Sequence, residues 1–106
     1  MLTRSFRLQK KDMERIYKKG RNFRQDLFLI RFLPNRAGHS RFSVVISKKV
    51  LALATARNQF KRKAYQIISE SETLWKDKAF DFALILKKAE KENLEESIKN
   101  IFKEVK

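Results

Sequence analysis

Cations and amides crowd residues 47–66, SKKVLALATARNQFKRKAYQ, and the chemistry their types support is phosphate binding. Lys48, Lys49, Arg57, Lys61, Arg62 and Lys63 lie here, and no acid occurs anywhere between positions 27 and 69. Lysine supplies a compact charge, and arginine supplies a planar fork that matches phosphate oxygens. Asn58 and Gln59 stand among them with amide donors and acceptors suited to nucleotide edges and sugars. Contacts of this kind give an affinity that falls steeply with salt.

Other chemistries are poorly provided for. There is no cysteine, which excludes disulfides, thiolate metal sites and thiol nucleophiles. His39, the only histidine, sits beside Gly38 in a turn and reads as a solvated loop residue. Asp12, Glu14 and Asp26 are the acids of the first two-thirds, too scattered in sequence to predict a carboxylate-bound metal pair. Gly20 and Gly38 are the only glycines, so neither a phosphate-cradling loop nor a dinucleotide fingerprint can be built. No catalytic residue, protein-held metal or small-molecule substrate is expected.

The charge balance agrees. The 106 residues carry a net charge of +14, and it is unevenly placed. Residues 1–68 hold 18 lysines and arginines against 3 acids, and residues 69–106 hold 8 against 9. That asymmetry predicts a polyanion bound by the first two-thirds. No stretch reads as an apolar span or signal peptide, so no membrane partner is expected and the expected location is cytoplasmic.

The elements that must position these residues follow from periodicity. Residues 1–9 read as a basic extended arm whose Leu2, Phe6 and Leu8 pack along an edge. Residues 10–19 read as a short helix with Met13, Ile16 and Tyr17 as its apolar stripe, closed by a left-handed Gly20. Residues 22–24 form a short extended piece. Residues 27–33, LFLIRFL, form a strand with Phe28, Ile30 and Phe32 on one face and Leu27, Leu29, Arg31 and Leu33 on the other. The latter face suits solvent or RNA. PNRAG at 34–38 is the strongest turn signal, and residues 41–47 return as a strand with Phe42, Val44 and Ile46 on one face. In the basic stretch Leu53, Ala56, Phe60, Ala64 and Ile67 recur at helical steps, predicting a helix that starts at Leu51 or Ala54 and ends near Ser69. Residues 71–78 read as a polar connection, 79–86 as another strand, and 94–105 as an amphipathic helix with Leu94, Ile98, Ile101, Phe102 and Val105 in its stripe. The order predicts a single α+β domain over residues 1–106, an α-β-β-(β)-α-β-α sandwich with a small sheet covered by helices on one side. The aromatics Phe28, Phe32 and Phe42, on strands read as neighbours, and Tyr17 could stack bases of a single strand.

ISKKV at 46–50 followed by ARNQFKR at 56–62 resembles the signature of the bacterial ribonuclease P protein subunit. DMERIYKKG, LFLIRF, RFSVVISKK, DFALILKK and the last amphipathic helix fall in that family's order, so the resemblance covers nearly the whole chain. It implies a ribosomal-protein-like sandwich with a left-handed β-α-β crossover. It implies a subunit that binds ribonuclease P RNA and precursor tRNA and assists removal of the 5′ leader, with Mg²⁺ bound mainly by the RNA and no catalytic group on this chain. It assigns Lys48, Lys49, Arg57, Asn58, Gln59, Lys61, Arg62 and Lys63 to RNA contact, and Met13, Tyr17, Phe28 and Ile30 to the leader cleft. Gln59 and Tyr65 stand where the family usually carries arginine. Two alternatives stay open: a ribosomal-type binder of structured RNA with no processing role, and a self-sufficient metal-dependent nuclease.

Overall fold

In a computed structural model of the chain, residues 6–25, 27–90 and 92–104 are described. The element order is α1 (Lys10–Lys19), β1 (Arg21–Arg24), β2 (Phe28–Pro34), β3 (Arg41–Val45), α2 (Ala54–Glu70), α3 (Glu72–Trp75), β4 (Phe80–Leu86) and α4 (Leu94–Glu104). The predicted helices and strands are present. The returning strand, however, does not pair with its predecessor. The sheet runs β1-β2-β4-β3, with β4 inserted between β2 and β3. Antiparallel to β2 and parallel to β3, β4 makes the sheet mixed, and α2 carries the chain between the two parallel strands.

Alternation along the strands sets two faces. On one, Phe28, Ile30, Phe42, Val44, Phe82, Leu84 and Leu86 pack with Phe60, Ala64, Ile67 and Ile68 of α2 and with Leu94, Ile98, Ile101 and Phe102 of α4. The Phe42 and Phe82 rings stack at 5.4 Å, nearly parallel, and Phe102 meets both edge-on. The presumed polar connection after α2 contains α3 and belongs to this core. Trp75 is buried, meets Phe42 edge-on at 4.9 Å and donates its indole N–H to the Ile68 carbonyl at 2.8 Å. A polar neighbourhood in sequence concealed one large apolar side chain with its hydrogen bond satisfied.

The second face is not bare. Helix α1 packs on it against β2 and β4, and Ile16 and Ala83 are fully buried outside the main cluster. Gly20 closes α1, but with φ −71° and ψ 152° it is extended rather than left-handed. Glycine is needed there for room: a Cβ would lie 2.5 Å from the Ile16 carbonyl oxygen. Gly38, in the turn, does take positive φ, at 81°. In the arm, the Leu8 N–H donates to the Phe42 carbonyl at 2.8 Å and Phe6 meets Trp75 edge-on. His39 is half-buried with the Phe6 ring against it at 4.8 Å, rather than solvated. Leu2 and Val105 lie outside the described residues.

Candidate nucleic-acid interface

Helix α2 divides its residues as the sequence pattern requires. Phe60, Ala64, Ile67 and Ile68 are buried, and Asn58, Gln59, Arg62 and Lys63 are exposed, with Arg57 and Lys61 half-buried at the flank. Lys48 and Lys49 are exposed in the turn that leads from β3 into α2. None of the six cations forms an ion pair among the described residues. Arg57 is partly committed: its Nη1 donates to the carbonyls of Leu51 and Ala52 at 2.9 and 2.8 Å, fixing the loop that presents the lysines. Leu53, predicted on the packed face, is 69% exposed because it is the N-cap residue, outside the helical turn. It offers no side-chain cap, and the first turn holds no acid. The positive end of the helix dipole therefore adds to the cationic surface. Lys63 marks the far limit of that surface, bordering a pocket with Glu70, Glu92 and Glu95.

The four expected cleft residues do not come together. Met13 is half-buried on α1 and Tyr17 is 46% exposed, whereas Phe28 and Ile30 are fully buried on the opposite face of the sheet. One step along a strand reverses the face. The side chains that line the second face are the odd-numbered neighbours. Leu29, Ile85 and Val45 pair across β2, β4 and β3 as a half-exposed apolar row. Asp12 and Arg15 occupy the flank of α1 that faces Asp81, two rows away; at about 100° per residue, Met13 and Tyr17 lie on the other flank, towards the apolar row. Arg24 pairs with Leu29 at the β1 end of the row, and the chain runs on from Val45 to Lys48 and Lys49 at the other. A floor of branched aliphatics with one helical wall and cations at both ends suits a single strand, whose bases need apolar surface and whose phosphates need charge. The apolar odd positions of β2 were the available signal for this floor.

Two cationic clamps hold that wall. Asp81 is fully buried in β4 and accepts from Arg15 of α1 at 2.8 Å, from Arg41 of β3 at 2.9 Å through each of two nitrogens, and from Asn35 at 2.7 Å. Arg41 also reaches Asp12 of α1 at 3.5 Å. Its hydrogen bonding to Asp81 raises the guanidinium pKa above the ordinary arginine value, against the opposing effect of burial. At the other end of α1, Arg31 does not face solvent. Its Nη2 donates to the Tyr17 carbonyl at 2.8 Å, with the Ile16 and Gly20 carbonyls at 3.4 Å, and its guanidinium lies 5.9 Å from the Tyr17 ring centre. It supplies a donor to the Tyr17 carbonyl in the last turn of the helix, while the Ile16 carbonyl also accepts the Gly20 N–H.

Comparison with known proteins identifies the family. The family model described as Ribonuclease P matches residues 2–106. The chain belongs to the ribonuclease P protein family. The "Ribonuclease P protein component" of Synechocystis sp. is 36% identical over 76 residues, 71% of this chain and 60% of that protein, so the match spans less than two-thirds of that relative. That of Streptococcus pneumoniae is 35% identical over 89 residues, 82% of this chain and 70% of the relative. Among solved structures, the RNase P protein from Thermotoga maritima in complex with 1-(4-fluorophenyl)-2-thiourea superposes with a TM-score of 0.82 at 27% identity, covering 94% of this chain and all of that one. Family membership and the α+β fold therefore rest on sequence and structure together.

Proposed function

We propose that residues 1–106 act as one RNA-binding domain, the protein subunit of a ribonuclease P holoenzyme that removes the 5′ leader from precursor tRNA. The observation that carries this reading is the solvent-facing surface formed by α2 and the turn that leads into it. It gathers Lys48, Lys49, Arg57, Lys61 and Arg62 with no carboxylate partner among the described residues, in a member of the ribonuclease P family. This surface binds the RNA subunit. The row Leu29, Ile85 and Val45, with Met13 and Tyr17 beside it, receives the single-stranded leader. The chain contributes by neutralising phosphate charge and fixing the leader, which lowers the entropy cost of an in-line attack made elsewhere.

Hydrolysis is assigned to the RNA, with Mg²⁺ held there. No group of three acidic or histidine side chains gathers among the described residues. No described helix is long and apolar enough to cross a membrane. The cytoplasmic location we propose follows from the proposed RNA partners.

Arg62 is exposed, makes no internal ion pair, and is the cleanest probe of the surface. Arg62→Ala should weaken binding to ribonuclease P RNA and flatten the plot of log affinity against log salt by about 0.7–0.9, one lost phosphate contact. An unchanged slope would remove this face from the interface. Arg57→Ala is less clean, because it also releases the Leu51 and Ala52 carbonyls.

A further inference from the structure

Position 65 of α2 bears a tyrosine where a further cation would extend the row on its flank. At helical spacing Arg57, Lys61 and Tyr65 follow one another at steps of four, about 6 Å apart. The structure supplies the missing charge from another part of the chain. Arg7, in the N-terminal arm, places its guanidinium carbon 4.7 Å from the centre of the Tyr65 ring. Both members of the pair are held in place. The Tyr65 hydroxyl accepts the Val44 backbone N–H at 3.0 Å, which locks the ring against the outer edge of β3. Arg7 bridges to Phe42 on that edge, with the next residue's N–H donating to the Phe42 carbonyl and the preceding residue packed on Trp75.

Among the described residues, the Arg7 side chain has neither a carboxylate nor a hydrogen-bond acceptor as partner, and its Nε is buried without one. A guanidinium fixed over an aromatic face and left without an anion is prepared for one from outside. Resting on the proposed RNA-binding role of α2, we propose that Arg7, stacked on Tyr65, is a further phosphate-binding residue that continues the Arg57–Lys61 row along the RNA backbone. The tyrosine is then the platform of a two-residue site rather than a lost contact.

The test measures binding of the full chain to a transcribed bacterial ribonuclease P RNA across a salt series, with melting curves in parallel. Arg7→Gln should flatten the log affinity against log salt slope by about 0.7–0.9, as Arg62→Ala does. Arg7→Lys, which keeps the charge, should retain the parent slope. In a Tyr65→Ala background, Arg7→Gln should change the slope by less than half as much as it does in the parent. A parent slope for Arg7→Gln, with Lys61→Ala and Arg62→Ala both flattened, would overturn the Arg7 assignment while leaving the RNA-binding reading intact. Parent slopes for all three would overturn both.

Discussion

Asp81→Ala is expected to remove about 3–5 kcal/mol of stability, the usual effect of taking one partner from a buried ion cluster. For a chain of this size that lowers the melting temperature by on the order of 15–20 °C. The carboxylate is fully buried, and without it Arg41 keeps only the longer contact to Asp12, Asn35 keeps only the His39 carbonyl, and the Arg15 tie from α1 to β4 is lost. The raised pKa of Arg41 gives the pH dependence its sign. Its stabilising contribution is present below the ordinary arginine value and is lost only as pH rises through the higher folded value. The cation therefore persists across the neutral range, and the deficit should not shrink between pH 6 and 9. Arg15→Ala is the control: Arg15 is 44% exposed and Asp81 keeps Arg41, so the loss should stay below about 1 kcal/mol. A melting temperature for Asp81→Ala within a few degrees of the parent would show that the cluster does not hold α1 to the sheet.

Phe28→Ala and Tyr17→Ala are expected to separate folding from recognition. Phe28 is fully buried in the main core, so truncation should cost about 3–5 kcal/mol. In the fraction that remains folded, the preference for leader-bearing over mature tRNA should be unchanged, because the side chain faces α2 and α4. Tyr17 is 46% exposed beside the proposed cleft, and its loss should leave stability within about 0.5 kcal/mol. It should weaken leader-bearing precursor by about 5- to 150-fold, the equivalent of one lost stacking contact at 1–3 kcal/mol, with mature tRNA unaffected. Equal loss for both RNAs on Tyr17→Ala would move the leader away from α1. A loss of leader preference on Phe28→Ala, in protein shown to be folded, would contradict the burial seen here.

Much of this was legible from local pattern. Periods of 3.6 and 2 located the long helices and strands, and the absence of acids between positions 27 and 69 located the cationic face. The misplaced features were non-local. Nothing in residues 28–47 announces that a strand some 40 positions later will insert between β2 and β3, because strand order is decided by which faces can be covered together. Phe28 and Ile30, expected in the cleft, are buried in the main core: both faces of β2 are apolar, and only the packing of α2 and α4 shows which one is covered. Arg31 read as a surface cation because its acceptors, the last carbonyls of α1, are invisible in sequence. The Asp81 cluster joins residues 40 to 66 positions apart, and no spacing rule reaches that far. Arg7 and Tyr65 are likewise an unremarkable pair until the arm is laid along β3.

The most direct measurement is cleavage of a precursor tRNA at low Mg²⁺ by three samples: this protein alone, a bacterial ribonuclease P RNA alone, and the two together. The expected result is cleavage at the mature 5′ end only in the combined sample. Cleavage by the protein alone would contradict the account, because the chemistry would then lie on this chain. RNA binding without any stimulation of cleavage would contradict it in the other direction, leaving a structured-RNA binder with no part in leader removal.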